Sequence, residues 1–262
     1  MIDRRNFLAA AGVAGLVPIT ASCLAADQAP AAGRDCYELR QYLIETPAQK
    51  QLLDKFLAEA AIPALNRLGV KPVGVFYPAE GLSPTYVLLR HKSPGVLATI
   101  DEGLLCNEEF IRKGAEFLNA PVSAPAYKRI ESSLLLAFRG MPELARPATS
   151  PTRVFQLRTY ESPSVKTNLK KIEMFNDAGE IAIFHRVGLT PVFFGRTLIG
   201  GKMPNLTYML GFESKEAMDA GWKKFREDPD WLKLKARPEY GDKTILCGIT
   251  NLVLKPADYS QI

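Results

Sequence analysis

Histidine is almost missing, with 2 in 262 residues. A protein-built metal site needs about three ligands. His91 and His185 stand far apart with no His-x-x-Glu spacing, so no metal is expected. A Ser-His-Asp triad has nothing to anchor it either, because no nucleophile elbow is present. Cysteine numbers 4, without a C-x-x-C pair, so zinc and dithiol redox motifs are not supported. Gly195 and Gly200-Gly201 lack the strand-to-helix context of a phosphate loop, and no cofactor is expected. Lys and Arg form no block: the net charge of +5 is spread along the chain, which argues against nucleic acid as a partner. No apolar run reaches the roughly 20 residues a membrane span requires, so no span is expected in the mature protein.

The chain opens with Asp3-Arg4-Arg5-Asn6-Phe7-Leu8, then a weakly apolar stretch from Ala9 to Thr20. This resembles a Tat export signal, expected over residues 1–26 and removed between Ser22 and Ala26, with a periplasmic or otherwise exported product. Thr20-Ala21-Ser22-Cys23 is a poor lipobox, which leaves a lipid anchor at Cys23 as the lesser alternative. Cys36, Cys106 and Cys247 would remain. They read as buried small hydrophobes, with a Cys36–Cys247 bridge left open.

What the chain does contain is itself, twice. Tyr37-Glu38-Leu39-Arg40-Gln41-Tyr42 returns as Phe155-Gln156-Leu157-Arg158-Thr159-Tyr160, an offset of 118. Leu68-Gly69-Val70-Lys71-Pro72-Val73 returns as Val187-Gly188-Leu189-Thr190-Pro191-Val192 at 119, and Tyr86 with its strand as Tyr208 at 122. Ordered matches at near-constant offset indicate a duplicated unit. Two domains follow, 34–139 and 152–258, joined by a Pro-rich linker at 140–151. At 47% hydrophobic and 23% charged residues, each has material for a core.

Period-2 patterns mark strands from Cys36 to Ile44, Lys71 to Tyr77, Tyr86 to Arg90 and Ile130 to Phe138, the last apolar enough to be buried on both faces. Helical spacing covers residues 48–68, bent at Pro63 and stopped at Gly69. It also covers residues 93–118, interrupted near Asn107. The second half repeats the order: strands at 154–160, 190–198, 206–212 and 246–254, and helices at 165–187 and 215–234. Each half is β-α-β-β-α-β, the ferredoxin-like order, whose sheet leaves one face bare. A second copy is the simplest cover. The expected fold is α+β: two tandem ferredoxin-like halves forming a pseudo-dimeric α+β barrel.

Phe155-x-Leu157-Arg158-x-Tyr160, Gly188 after the first helix, and Asp228-Pro229-Asp230-Trp231 together resemble a NIPSNAP domain. The first half keeps Leu39-Arg40-x-Tyr42 and Gly69 but lacks the Asp-Pro-x-Trp segment, and reads as a diverged copy. The resemblance implies the dimeric α/β-barrel superfamily fold. Relatives of that fold include cofactor-free monooxygenases, haem-handling proteins and stress-response proteins, so the fold alone selects no chemistry.

Strand parity puts Glu38, Arg40 and Tyr42 on one face and Tyr37, Leu39 and Leu43 on the other. The apolar set is expected against the helices and the polar set in the space between the sheets. Arg40 and Arg158 would there bind an anionic or carbonyl ligand, with Tyr42 and Tyr160 as donors. Alternatively, each Arg is held by a carboxylate such as Glu38 and braces the barrel. His185 could shuttle a proton or simply favour a helix C-terminus, and His91 reads as a surface residue. Trp222 and Trp231, with Met218 and Phe225, read as the helix face packed on the sheet, and Asp228-Pro229 as a helix restart. The leading expectation is a protein that binds a small molecule between its halves or a partner on its surface, with homo-oligomers allowed. The alternative is a cofactor-free enzyme, of monooxygenase or isomerase type.

Overall fold

The computed structural model describes residues 33–262, so the expected export signal and Cys23 lie outside the described residues. Eight antiparallel strands close into a barrel in the order β1-β3-β2-β8-β5-β7-β6-β4, with β4 returning to β1. In chain order these are β1 (Cys36–Leu43), β2 (Val73–Pro78), β3 (Thr85–His91), β4 (Arg129–Ala137), β5 (Val154–Glu161), β6 (Thr190–Ile199), β7 (Asn205–Phe212) and β8 (Gly248–Pro256). The first half occupies one arc as β4-β1-β3-β2 and the second the other as β8-β5-β7-β6. The arcs join through β2 to β8 and β4 to β6. Closure removes every open sheet edge, the feature that otherwise invites aggregation.

The interior is filled. Tyr37, Leu39, Phe76, Leu88, Leu135, Phe155, Leu157, Phe193, Met209 and Leu254 form one apolar cluster drawn from all eight strands. Tyr37 meets Phe193 and Phe76 meets Phe155, each pair with ring centres 4.9 Å apart. A bulge between Pro191 and Phe193 lets Val192 and Phe193 both join the cluster. Gly195 makes room for Leu135, since a Cβ there would lie 2.9 Å from the Leu135 Cβ. This overturns the expected facing. The apolar set Tyr37, Leu39, Phe155 and Leu157 points inward, and the polar set points outward beneath the helices. The space between the arcs holds packed side chains where a ligand chamber was expected.

Helices cover the outer faces. Over the first arc lie α1 (Pro47–Phe56), a widened π turn (Leu57–Ala61), α2 (Ile62–Arg67), α3 (Ile100–Leu105) and α4 (Glu108–Leu118). Pro63 has no N–H to offer the carbonyl of residue 59, and the backbone widens there instead of bonding. Asn107 breaks the next helical stretch and caps α4 by accepting from Phe110 N at 2.9 Å. Over the second arc lie α5 (Val165–Asn176), α6 (Glu180–Val187), α7 (Lys215–Glu227) and α8 (Pro229–Lys235). Ser164 starts α5 with a capping box. Gly188 ends α6 at φ 84°, a conformation glycine adopts without a Cβ penalty. Asp228 starts α8 by accepting from Asp230 N and Trp231 N at 2.9 and 3.0 Å. β4 departs from expectation: its first four residues are exposed and only its last three are buried. Among the described residues the three thiols are free, Cys36 buried and Cys106 and Cys247 exposed.

Candidate functional site

On β5, Phe155 and Leu157 enter the barrel, so Gln156, Arg158 and Tyr160 project outward towards α5, α6 and α7. The helices do not close down on them. A cavity of 630 Å³ remains, walled by Phe184, Met218, Trp222, Phe225 and Trp231 and floored by Asn251 and Val253 of β8. The wall is one aromatic array, with Phe184, Trp222, Phe225 and Trp231 meeting edge-on or tilted at 4.4–6.0 Å.

Charged side chains enter this array. The Arg158 guanidinium lies 4.7 Å from the Trp222 ring centre and 5.5 and 6.0 Å from those of Tyr160 and Tyr208, within cation–π range. Its Nε has no partner, and among the described residues Arg158 forms no ion pair. Burial works against its charge, but the phenols of Tyr208 and Tyr160 outweigh burial, and its pKa is raised. The Tyr160 and Tyr208 hydroxyls are 3.1 Å apart. Burial pushes the Tyr208 phenol well above its ordinary value.

Lys171 of α5 is 2% exposed, with its Nζ 3.6 Å from Glu180 and 3.7 Å from the exposed Asp242. Glu180, in the first turn of α6, is also 2% exposed, and its Oε2 accepts no hydrogen bond. Burial raises the Glu180 carboxyl's pKa, Lys171 opposing. Gln156 Oε1 accepts the Trp222 indole N–H at 2.6 Å. The site thus holds one buried and one half-buried cation, one buried carboxylate whose affinity for a proton is increased, and two hydroxyls, all against aromatic walls.

Of the five candidate residues, the cavity gathers Arg158 and Tyr160. Arg40 is braced on the opposite arc: its Nε donates to Glu38 at 2.5 Å and its Nη2 to the other carboxylate oxygen at 3.2 Å. Ser132 and His91 also hold Glu38, at 2.8 and 3.4 Å. Burial alone would raise that carboxyl's pKa, but the bonds from His91 and Arg40 bring it to about 2. Tyr42 is buried in the first arc's helix-facing core, edge-on to Tyr127 at 5.9 Å. His185 is exposed in the last turn of α6 and takes no part in the cavity. His91 is buried, where a surface position was expected. Trp222 and Trp231 line the cavity where plain packing was expected.

The sequence reading passed over Gln156, Lys171 and Glu180. A signal existed for Lys171: Asn168, Lys171, Ile172 and Phe175 share one face of α5, and two polar residues interrupt that otherwise apolar stripe.

Residues 155–261 match the NIPSNAP family model. No curated protein matches the sequence. Among solved structures, a proposed monooxygenase from Lactobacillus acidophilus NCFM has a TM-score of 0.58 at 10% identity, over 85% of this chain and 94% of that one. A proposed monooxygenase from Fusobacterium nucleatum has a TM-score of 0.55 at 6% identity, over 85% and 92%. An anthrone oxidase-like protein has a TM-score of 0.51 at 10% identity, over 87% and 93%. These three share the fold.

Proposed function

We propose that this chain, a NIPSNAP-family protein through its second half, takes a planar organic molecule into the second-arc cavity and oxidises it with dioxygen. The observation that carries the reading is a 630 Å³ space in which half-buried Arg158 and buried Lys171, Glu180 and Tyr160 converge between aromatic walls. Convergent polar groups in an apolar pocket, one with a perturbed proton affinity, form the default pattern of an active site. The names borne by the three structures of like fold agree with it.

In this reading the Glu180 carboxylate accepts a proton from an activated methylene, since a raised pKa makes a carboxylate a better base. Arg158 and the Tyr160 hydroxyl stabilise the resulting enolate. The carbanion gives its electrons to dioxygen, and a C–O bond forms. The O–O bond then breaks, one oxygen leaves as water with the two methylene hydrogens, and the methylene becomes a carbonyl. The substrate supplies all four electrons, so the chemistry needs no resident cofactor.

Oxygen uptake with 1,8-dihydroxyanthrone tests this. The expected result is uptake above the uncatalysed rate, one dioxygen consumed per anthraquinone formed. Glu180→Gln should lower it about a hundredfold, the scale of a lost general base. The rate should also rise with pH through a midpoint above the ordinary carboxyl value of 4.5, because only the ionised carboxyl accepts the proton. Uptake no faster than in buffer, or an equally fast Glu180→Gln enzyme, removes the reading. A second reading is a binding protein without turnover. It is favoured by the Lys171–Glu180 pair, which already engages the base, and it predicts ligand binding with no uptake.

The same proposal takes the arcs as tandem ferredoxin-like copies forming a pseudo-dimeric barrel, supported by the repeat offsets and the parallel strand orders. Only the second copy keeps the site. Leu53 and Ile62 stand 118 residues before Lys171 and Glu180, both buried and apolar. Export through the twin-arginine start belongs to the proposal too, and fractionation of the producing cells tests it.

A further inference from the structure

We propose that Gln156 is the residue that makes the cavity selective for a planar aromatic monoanion, because it leaves the Arg158 charge without a partner. The inference rests on the reading of the cavity as a ligand site and specifies what that site takes.

The two arcs supply the comparison within one molecule. On β1, Glu38 stands two residues before Arg40 on the same face and takes its guanidinium at 2.5 and 3.2 Å. On β5, Gln156 stands two residues before Arg158 on the same face. An amide carries no charge, and its carbonyl is already taken by the Trp222 indole at 2.6 Å. Arg158 therefore keeps a full positive charge in a setting where an uncompensated charge is costly. The neighbouring charges compensate it only in part, through Glu180. Glu180 and Asp242 face Lys171 at 3.6 and 3.7 Å, at the rim Lys215 and Asp219 hold each other at 2.6 Å, and Arg226 adds a further cation. The count is one positive charge in excess, with an unpartnered Nε marking where a donor has no acceptor.

The surroundings define the rest of the ligand. The Trp222 ring lies 4.7 Å from the guanidinium, so a ligand anion meeting Arg158 brings its body against the indole and the walls of Phe225 and Trp231. A flat aromatic frame fills such a wall with little lost freedom. A second anionic group would meet Glu180. The geometry therefore selects one negative group on an aromatic frame: a phenolate, enolate, carboxylate or sulfonate.

The chain's 2 tryptophans are Trp222 and Trp231, and both line this cavity, so intrinsic fluorescence reports on it alone. Full-length protein is titrated with 1-anilinonaphthalene-8-sulfonate and, separately, with N-phenyl-1-naphthylamine, which lacks the sulfonate. The parent should bind the sulfonate about tenfold more tightly, the scale of one charge-assisted hydrogen bond. Gln156→Glu keeps an acceptor for Trp222 and gives Arg158 a carboxylate. It should erase the preference while the neutral probe binds as before. Arg158→Met should do the same, and a retained melting transition in either variant secures the comparison. A parent that quenches equally with both probes overturns the anion selectivity and leaves the cavity as a ligand site. A sulfonate preference that survives Gln156→Glu overturns the role of Gln156. If neither probe quenches the tryptophans, the cavity is not a ligand site, and the reading beneath this inference falls with it.

Discussion

Arg40 and Arg158 occupy like places in β1 and β5 and have opposite fates, decided by the residue two positions earlier. Glu38 consumes the charge of Arg40, while Gln156 leaves that of Arg158 free. The braced member carries a stability prediction. The Glu38 carboxyl is brought down to about 2 from an ordinary 4.5. A depressed carboxyl contributes stability that is complete above the unfolded value and is lost as pH falls through the folded one. Denaturation midpoints should therefore fall between about pH 4.5 and 2, by roughly 3 kcal/mol if the whole shift is realised. Glu38→Gln should flatten that limb, and urea titrations across the range measure it. At this scale the sequence showed the residue types but not their partners. It offered bracing and ligand binding as alternatives for both arginines; the structure shows Arg40 braced by Glu38 and Arg158 with no carboxylate partner among the described residues. The distinction lay in Glu38 against Gln156, visible when the two strand sequences are aligned, but whether Arg158 finds a carboxylate elsewhere depends on helices distant in sequence. Lys171, which pairs with Glu180 instead, could not be assigned before those helices were placed.

Elements fixed by local chemistry were the most legible. Asp228 stands immediately before a helix and caps it, as its sequence context predicts, because a short oxygen-bearing side chain satisfies the first free N–H groups; Ser164 and Ser214, not singled out from the sequence, cap α5 and α7 in the same way. Asp228 does more: it also takes the Arg186 guanidinium at 2.8 Å and so ties α6 to the start of α8. Asp228→Ala should cost about 1 kcal/mol in urea unfolding, the usual scale of a lost cap. It should also raise the amide exchange of residues 230 and 231, loosening the Trp231 wall of the cavity. An unchanged unfolding midpoint with unchanged exchange would show that the cap is idle. The facing of the strands was not legible. Alternation in β1 and β5 shows that two faces differ, and the ordinary rule sends the more apolar one to the helices. Here both faces are buried. The closed interior admits no water and takes the strictly apolar set, while the helix side reaches solvent through the cavity and can carry Arg158, Tyr160 and Gln156. Pairing alone gives no hint of this, because a one-sided sheet and a closed barrel share the period of two.

At the scale of the molecule, the two arcs form a single closed sheet over residues 33–262 and share one core. Phe155 is fully buried in it, against Phe76 of the other arc. Phe155→Ala should cost about 3–5 kcal/mol, as large-to-small changes in packed cores do. Calorimetry should show one transition moved down as a whole, since the lost contact belongs to both arcs. Two separated transitions would mean that the arcs fold independently. With the interior filled, the proposed site lies on the outer side of one arc, and a crystal structure of the full chain soaked with 1-anilinonaphthalene-8-sulfonate tests that proposal most directly. The sulfonate should lie within hydrogen-bond distance of Arg158, with the naphthalene against Trp222. Density for the probe inside the barrel, or at the Arg40 arc with the second-arc cavity empty, would contradict it.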